Sequence, residues 1–331
     1  MSLEIPIKSS ELIVSRDACD KNIRVAYYLG IDGGGSKTTC VVGDEGSILA
    51  RATSGPSNIT RVGEETARAS LHDAIRRACA AADIDPRQVK RGCIGVAGAG
   101  REPIASAIRK IIEELISGEI EVVGDMQIAL QAALGEGPGV IVIAGTGSIA
   151  FGRDAQGKTA RAGGWGYAIS DEGSAYWIGR EAIRALLRAE DQAQDNAPRL
   201  STLFRELKSA WKVDSLEHLA RAANSRPDFA ELLPAIVCAA ESGDELAKQI
   251  LARAGSELAQ LAAIVVQRLF PEEPDSPKAI PLGMAGGVFR HASLARERFV
   301  DEVHRRDERV KLNPNVVEPV DGALEMARRA K

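Results

Sequence analysis

The chain has 331 residues, which is too long for one ordinary hydrophobic core and suits two domains. Its composition, 45% hydrophobic and 27% charged, is typical of a soluble globular protein, and aromatic residues are scarce at 4%. The formal net charge is −4 and long basic runs are absent from the sequence, so we expect no nucleic-acid partner, because duplex binding needs a concentrated basic patch.

The cysteines and the N-terminus point to a reducing compartment. No two cysteines form a C-x-x-C pair, so neither a zinc site nor a thioredoxin-type motif is expected, and scattered free thiols favour the cytoplasm. Charged residues break the apolar stretches of residues 1–22, which predicts a weakly ordered extension rather than a signal peptide. No apolar run is long enough to predict a membrane span. The five cysteines are Cys19, Cys40, Cys79, Cys93 and Cys238.

The first half of the chain predicts strands that alternate with helices. A buried strand over 25–31 ends in a glycine turn, and strands over 38–43 and 47–52 flank a second, tight turn. The next predicted elements are a helix over 63–82, a strand over 93–97, a helix over 104–116 and a strand over 121–123. This alternation is typical of an α/β domain with a parallel or mixed sheet.

The second half restarts the pattern and then becomes helical. Residues 135–139, with three glycines and a proline, predict the junction between two domains. Another strand over 140–144 and another glycine turn follow. The later predictions are helices over 176–189, 200–210, 216–222, 232–241 and 244–270, a strand over 279–282, a Gly286-Gly287 turn, and helices over 288–304 and 320–330.

One pattern occurs twice in the chain, as strand, glycine-rich turn, strand, tight turn, strand. The glycine turns occupy 31–36 and 143–148, about 110 residues apart. Glycine lets backbone N–H groups approach an anion closely, because no Cβ is in the way and positive φ is allowed. Neither turn matches the Walker or the dinucleotide-binding pattern. Two such hairpins predict a clamp that grips one polyphosphate from two sides.

Two carboxylates stand beside these turns, and each has two interpretations. Asp32 would repel a phosphate unless a cation lay between them, which predicts a Mg²⁺ site that acts through water; alternatively, it bonds the amides of its own turn. Asp125 follows the strand over 121–123, at the sheet edge where α/β proteins assemble their sites. It could accept a proton from a substrate hydroxyl, or it could cap the helix that starts near Met126 or Gln127.

The aromatic residues concentrate between residues 163 and 177. Trp and Tyr beside flexible glycines could pack against the face of a polyhydroxylated ring. Asp171 could accept hydrogen bonds from the hydroxyl groups of that ring. The alternatives are that Trp165 and Trp177 fill a gap in the core and that Ser174 caps the following helix.

From about residue 28 to residue 330, the chain resembles the BadF/BadG/BcrA/BcrD ATPase family of the actin-like superfamily, and within it the N-acetylglucosamine kinases. The resemblance is specific in segments 33–37, 145–148 and 163–177. It implies an α/β fold of two RNase H-like (actin-like ATPase) domains around a central cleft, the second one enlarged by helices. The implied division is an extension over 1–22, a first domain over 23–134 completed by the C-terminal helix 321–331, and a second domain over 135–320.

The resemblance also implies the site residues, with ATP and Mg²⁺ as cofactors. Asp125 matches the catalytic base of the family, and Asp32 would hold Mg²⁺ through water. The implied nucleotide contacts are Gly33, Gly34, Gly35, Ser36, Lys37, Gly145, Thr146, Gly147, Gly243, Gly286 and Gly287. The implied sugar contacts are Asn58, Asp125, Ser148, Ile149, Gly164, Trp165, Gly166 and Asp171. Ile149 departs from the vertebrate members, which have Asn there, and this difference leaves the acceptor open between N-acetylglucosamine, glucosamine and related hexosamines.

The implied function is ATP-dependent phosphorylation of the 6-hydroxyl of an amino sugar, by a cytoplasmic homodimer without nucleic-acid or membrane partners. One alternative is an ATPase that activates a reductase or dehydratase. Such proteins place iron–sulfur ligands soon after the second glycine turn, and no cysteine lies between Cys93 and Cys238. The other alternative is a non-catalytic regulator that binds sugar or nucleotide, against which the presence of both Asp32 and Asp125 argues.

Overall fold

The structure, a computed structural model, describes residues 26–193, 201–225, 227–272 and 278–329, so the expected extension over 1–22 lies outside it. Two five-stranded sheets share one strand order, β3-β2-β1-β4-β5 in the first and β8-β7-β6-β9-β10 in the second. The first sheet contains β1 (Tyr27–Gly33), β2 (Thr38–Gly43), β3 (Ile48–Ser54), β4 (Val89–Val96) and β5 (Glu119–Gly124). The second contains β6 (Gly139–Ala144), β7 (Ser148–Arg153), β8 (Thr159–Gly163), β9 (Ile280–Ala285) and β10 (Val310–Val317).

The strand directions repeat as well as the order. In each sheet the first three strands form an antiparallel meander, and the remaining two run parallel to the first strand. Both hairpins therefore place their glycine turn at the carboxyl end of the central strand, which is the sheet edge that also receives the ends of the parallel strands. The predicted α/β fold of two RNase H-like domains is confirmed, and we call the two halves the N-terminal lobe and the C-terminal lobe.

Helices cover both sheets, and the C-terminal lobe carries more of them. The N-terminal lobe has α1 (Ile59–Ala81) and α2 (Glu102–Glu113), and α3 (Asp125–Leu134) follows β5. The later helices are α4 (Ala175–Gln192), α5 (Thr202–Trp211), α6 (Leu216–Asn224), α7 (Leu233–Glu241), α8 (Glu245–Leu269), α9 (Gly287–His291), α10 (Ser293–Arg306) and α11 (Pro319–Arg328). The extra helices α4 to α8 confirm the predicted enlargement of the second domain.

The helix α8 forms the centre of the C-terminal lobe. By length and composition alone it could cross a membrane, but its apolar side chains are buried against α4, α10 and β7. Long helices buried in protein cores share this length and composition, so the packing of α8 explains its apolar character.

Three elements differ from the sequence prediction for local reasons. The helix α1 begins at Ile59, four residues earlier than predicted. Gly63, which has φ +79°, separates this additional first turn from the rest of the helix. The helix expected over 288–304 is split into α9 and α10 at Ala292, whose backbone is not helical. The strand β10 was not predicted, because Pro314 and its polar neighbours hide it, and its register shifts between Leu312 and Val316.

The helices α3 and α11 pack together between the two sheets. Gly322 of α11 lies so close to α3 that a Cβ at this position would be 2.1 Å from the carbonyl oxygen of Ile128. α11 also contacts β1, β4 and β2, while α3 contacts both sheets. This close pairing supports the start of α3, where Asp125 lies. The domain division near residue 135 stays a prediction.

Candidate active site

The two glycine turns meet across the cleft between the lobes. Ser36 in the first turn and Thr146 in the second have hydroxyl oxygens 2.7 Å apart, although 110 residues separate them in the chain. Each turn is closed by its own backbone, with the Gly34 N–H donating to the Lys37 carbonyl oxygen and the Gly145 N–H to that of Gly147, both at 2.9 Å. The structure therefore brings the two predicted phosphate-binding segments together.

The glycines of the turns serve close packing and not an unusual backbone angle. We expected the glycines of the two turns to adopt positive φ, and the structure contradicts this expectation. None of the five has a positive φ. A Cβ at Gly33 would be 2.6 Å from the Ser57 hydroxyl oxygen, and one at Gly147 would be 2.4 Å from Asp171 Oδ2. Gly145 differs, because a Cβ there would meet no atom of the described residues within 4 Å. The Cα of Gly145 therefore faces open space, although its N–H and carbonyl groups are both hydrogen-bonded within the protein. The five glycines are Gly33, Gly34, Gly35, Gly145 and Gly147.

The segment after β3 supports the first turn. The N–H groups of Ser57 and Asn58 donate to the Gly34 carbonyl oxygen, at 3.1 and 3.3 Å, and Thr38 donates its hydroxyl to Ser57 at 2.7 Å. Asn58 is the N-cap of α1, and its Oδ1 accepts hydrogen bonds from both the N–H and the hydroxyl of Thr60. The side-chain carbonyl of Asn58 is thus engaged in capping, which leaves its amide N–H groups for any contact with a sugar.

Asp32 and Asp125 interact electrostatically at the junction of the lobes. Burial raises the pKa of Asp32 to about 7, and the nearby Asp125 carboxylate contributes in the same direction, while Lys37 opposes it. Burial also raises the pKa of Asp125, partly offset by hydrogen bonds from backbone N–H groups. A divalent cation would favour the ionised form of Asp32, whose ionisation burial and the Asp125 charge oppose.

The helix-capping interpretation of Asp125 is wrong in its simple form. The N-cap of α3 is Gly124, whose N–H donates to Oε1 of Gln127 at 2.9 Å. Asp125 is the first helical residue, and its Oδ1 accepts from the N–H of Met126 at 3.0 Å. Asp125 is therefore not the N-cap of α3, although its Oδ1 is engaged with an N–H group of the first turn.

Asp171 adds a third carboxylate from the C-terminal lobe. It is buried, has φ +63°, and accepts a hydrogen bond from the Gly166 N–H at 3.2 Å. Burial raises its pKa, and the charge of Asp125 acts on it in the same direction. A non-glycine residue in the left-handed region is strained, and such strain concentrates at functional sites. Asp125 thus interacts electrostatically both with Asp32 and with Asp171.

The aromatic block divides into an exposed part and a buried part. Trp165 is 70% exposed, and the Arg161 guanidinium lies over its ring at 4.2 Å from the centroid. Trp177 is only 4% exposed and belongs to the core, so the gap-filling interpretation is correct for Trp177 alone. Ser174 is the N-cap of α4, as the alternative predicted, with its Oγ accepting from the N–H of Trp177.

The remaining predicted sugar contacts, which we call the floor of the site, lie at the glycine turn around Trp165 and at the start of β7. The Ser148 hydroxyl is buried and donates to the carbonyl oxygen of Glu172 at 2.8 Å, so its proton is already engaged. Ile149 packs beneath the glycine turn, since a Cβ at Gly164 would be 2.7 Å from Ile149 Cδ1. Both Gly164 and Gly166 have positive φ, which suits glycine at these positions.

The expected adenosine contacts lie on the C-terminal lobe. Gly286 packs against the end of β6, where a Cβ would be 2.3 Å from the Ala144 carbonyl oxygen, and Gly287 begins α9. Gly243 follows α7 with φ +94° and open space around it. Since α9 contacts α7, these glycines lie in one region next to the second turn.

Two charged residues near Asp32 were missed by the sequence prediction. Arg290 and Glu318 form an ion pair at 2.6 Å, and both charges act on the Asp32 carboxylate. Arg290 follows β9 and Glu318 follows β10, both in the C-terminal lobe. They come close to Asp32 of β1 only because the two lobes pack together. A local sequence pattern carries no signal of that approach.

Comparisons with known proteins agree with this geometry. The chain is 33% identical to the N-acetylmuramic acid/N-acetylglucosamine kinase of Clostridium acetobutylicum, over 91% of this chain and 98% of that protein. It is 30% identical to the N-acetyl-D-glucosamine kinase of Dictyostelium discoideum, over 92% of this chain and 98% of that protein.

The fold is also that of solved structures. The crystal structure of a candidate N-acetylglucosamine kinase from Chromobacterium violaceum superposes with a TM-score of 0.72 at 24% identity, covering 92% of this chain and 99% of that one. A family model matches residues 29–327, which is nearly the whole described chain. The chain belongs to the BadF/BadG/BcrA/BcrD ATPase family.

Proposed function

We propose that this protein is an ATP-dependent amino-sugar kinase that phosphorylates the 6-hydroxyl of N-acetylglucosamine or glucosamine. The observation that carries the proposal is the Asp125 carboxylate at the start of α3, whose charge acts both on Asp32 of the N-terminal lobe and on Asp171 of the C-terminal lobe. The relatives of known sequence that span nearly the whole chain are kinases of amino sugars, which supports the same class of acceptor.

Asp125 would act as the general base. It would orient the sugar 6-hydroxyl and take its proton while that oxygen attacks the γ-phosphorus in line. Burial raises the pKa of Asp125 towards the working pH, which makes the carboxylate a stronger proton acceptor than an exposed aspartate.

The two glycine turns would hold the phosphates of ATP. Ser36 and Thr146 now share a hydrogen bond, and a polyphosphate between the turns would take over both hydroxyl groups as donors. The open space beside the Cα of Gly145 would let the same ligand approach the second turn closely. Gly243, Gly286 and Gly287, which lie in one region next to the second turn, would contact the adenosine part of ATP.

The donor set around Asp32 fits Mg²⁺. The described residues contain no group of three or more His, Cys, Asp or Glu side chains placed to hold a metal, and Mg²⁺ bound to ATP commonly needs only one or two protein carboxylates. When bound, Mg²⁺ would neutralise charge on the phosphates. Asp32 would hold it through water.

The sugar would lie between the lobes, with Asp171 accepting hydroxyl hydrogen bonds and Trp165 covering one face of the ring. Ile149 supplies an apolar side chain in the floor, so an acetamido group would find no amide partner there. This feature supports a site that tolerates several hexosamines.

The proposal includes a cytoplasmic location, a homodimer and no nucleic-acid or membrane partner. The four cysteines of the described region, Cys40, Cys79, Cys93 and Cys238, are free thiols, which suits a reducing compartment. The homodimer rests on the family resemblance.

A coupled assay of ADP release tests the proposal. The purified protein is mixed with ATP, Mg²⁺ and, in separate reactions, N-acetylglucosamine, glucosamine, glucose, N-acetylmannosamine or muramic acid. We expect rapid ADP release with at least one of the two leading hexosamines and formation of its 6-phosphate. Equal ADP release with and without every sugar would contradict the kinase assignment.

A further inference from the structure

Arg61 carries a buried guanidinium nitrogen that has no hydrogen-bond acceptor within the described part of the chain. The residue lies in the first turn of α1, three positions after Asn58, and its side chain is 18% exposed. A buried N–H group without a partner is costly, and in native proteins it usually indicates a ligand, a water or a functional role.

The unpaired nitrogen, Nη1, lies against the first glycine turn. A Cβ built at Gly35 would be 3.1 Å from this nitrogen and 3.8 Å from Cβ of Thr146 in the second turn. The guanidinium is therefore at the point where the two turns meet, next to the hydroxyl pair of Ser36 and Thr146.

The other side of the guanidinium is held by the C-terminal lobe. Nη2 forms an ion pair with Asp228 Oδ2 at 2.6 Å, and the ring of Tyr167 lies below the guanidinium carbon at 5.6 Å from its centroid. Tyr167 in turn packs on Tyr176, with ring centroids 4.6 Å apart. Tyr176 lies in the first turn of α4, beside the second glycine turn, and its N–H donates to the Thr146 carbonyl oxygen.

Arg61 thus comes from the N-terminal lobe but is positioned by contacts with the C-terminal lobe. Its guanidinium has the described geometry only when the lobes are closed on each other. A fixed cation beside a phosphoryl group is worth most in such a closed site, because water no longer screens the charge.

We propose that Arg61 is a catalytic residue whose Nη1 contacts the γ-phosphoryl group of ATP during transfer, and that Asp228 is the positioning residue that holds it there. The inference rests on the proposed function, because it takes the two glycine turns as the phosphate site. Arg61 neutralises the charge that develops on the equatorial phosphoryl oxygens and forms no covalent bond. The contact also couples lobe closure to phosphoryl transfer.

The test compares Arg61→Met with Arg68→Met in the full-length protein. Arg68 lies on the same helix, and its partners are Glu64 and Glu114, so it controls for the loss of a cation from α1. We expect Arg61→Met to lower kcat about 10²-fold with little change in the KM for ATP, as when one donor to transition-state charge is removed. Arg68→Met keeps kcat within twofold, and Asp228→Asn lowers kcat by an intermediate factor.

Binding separates a catalytic role from a structural one. We expect Arg61→Met to bind ADP as the wild type does, and to bind ADP with aluminium fluoride, a mimic of the transferring phosphoryl group, about 10²-fold more weakly. Guanidinium chloride at millimolar concentration restores part of the activity of Arg61→Ala, which shows that this variant is folded. Equal loss of affinity for ADP and for ADP with aluminium fluoride would overturn the inference, as would full activity of Arg61→Met.

The outcomes also separate this inference from the proposed function. If the wild type releases no ADP in response to any hexosamine, the proposed function fails. The aluminium fluoride comparison is made without sugar as well, so it tests Arg61 in that case too: affinities that differ between wild type and Arg61→Met support the contact, and equal affinities overturn it. If the wild type phosphorylates a hexosamine and Arg61→Met does so at the same rate, only the inference fails.

Discussion

The first glycine turn is held by the N–H groups of Ser57 and Asn58, which precede α1, whereas the second turn is held by the residues that begin α4. The N–H of Ala175 donates to the Gly145 carbonyl oxygen at 2.9 Å, and Gly147 lies directly against Asp171. The hairpin is repeated, but its support is not. In the C-terminal lobe Gly147 of the turn packs on Asp171 of the proposed acceptor site, so a change at Gly147 affects both.

The largest effect should come from Asp125, which belongs to neither turn. We expect Asp125→Asn to lower kcat by about 10³-fold, because asparagine keeps the shape but cannot accept the hydroxyl proton. ADP affinity should be nearly unchanged. Steady-state kinetics and calorimetric ADP titration measure the two quantities, with Asp73→Asn on α1 as the control. Turnover near the wild-type rate in Asp125→Asn would remove Asp125 from the mechanism.

A pair of glycine substitutions in the second turn tests the contact of Gly147 with Asp171. Gly145→Ala adds a methyl group in open space, so we expect a normal melting temperature and about a tenfold higher KM for ATP. Gly147→Ala adds a methyl group 2.4 Å from Asp171 Oδ2, so both the KM for the sugar and the melting temperature should change. If both variants raised only the KM for ATP, the second turn would be independent of the acceptor site.

Ile149 should affect the acceptor and not the nucleotide. We expect Ile149→Asn to shift the ratio of kcat/KM for N-acetylglucosamine over glucosamine by about tenfold in favour of the acetylated sugar, because a new amide can pair with the acetamido group. The KM for ATP should stay the same. Ile149→Val is the matched control, since it keeps an apolar side chain beneath Gly164. An unchanged ratio would show that residue 149 does not distinguish N-acetylglucosamine from glucosamine.

The smallest effect concerns stability and pH. Burial raises the pKa of Asp125, so the folded protein retains this proton at pH values where the unfolded chain has lost it. The unfolded state then binds fewer protons, and stability contributed at this position falls as the pH rises above the ordinary aspartate pKa of about 3.9. We therefore expect Asp125→Asn to melt at a higher temperature than the wild type at pH 8, and the difference to shrink at pH 5. A difference independent of pH would contradict this account.

Most of the fold was predictable because its signals are local. The apolar runs of β1 and β6, the turns after them and the periodicity of α1 and α8 are all readable over short windows, and the repeat gave the two-lobe plan. The strand β10 was not readable, because Pro314 and neighbouring polar residues carry no strand pattern. The break at Ala292 likewise arises from tertiary packing that a helical period does not reveal.

The site residues that belong to one continuous sequence motif could be predicted. The contacts between residues far apart in the sequence could not. The turn glycines were correctly singled out, but their physical reason is close packing, as at Gly33 against Ser57, and not positive φ. The contact of Arg61 with Asp228 joins α1 to a short helical turn in the other lobe. No sequence window contains both partners, so only the structure reveals the pair.

Calorimetric titration of nucleotide and sugar into matched variants tests the central claim most directly, namely that the repeated turns bind ATP and the unrepeated residues choose the acceptor. ADP with Mg²⁺ and the preferred hexosamine are titrated separately into Gly145→Ala and Asp171→Asn. We expect Gly145→Ala to lose nucleotide affinity and keep sugar affinity, and Asp171→Asn to do the opposite. Loss of both affinities in both variants, or of the same one in each, would contradict the division of labour between the repeated and the unrepeated residues.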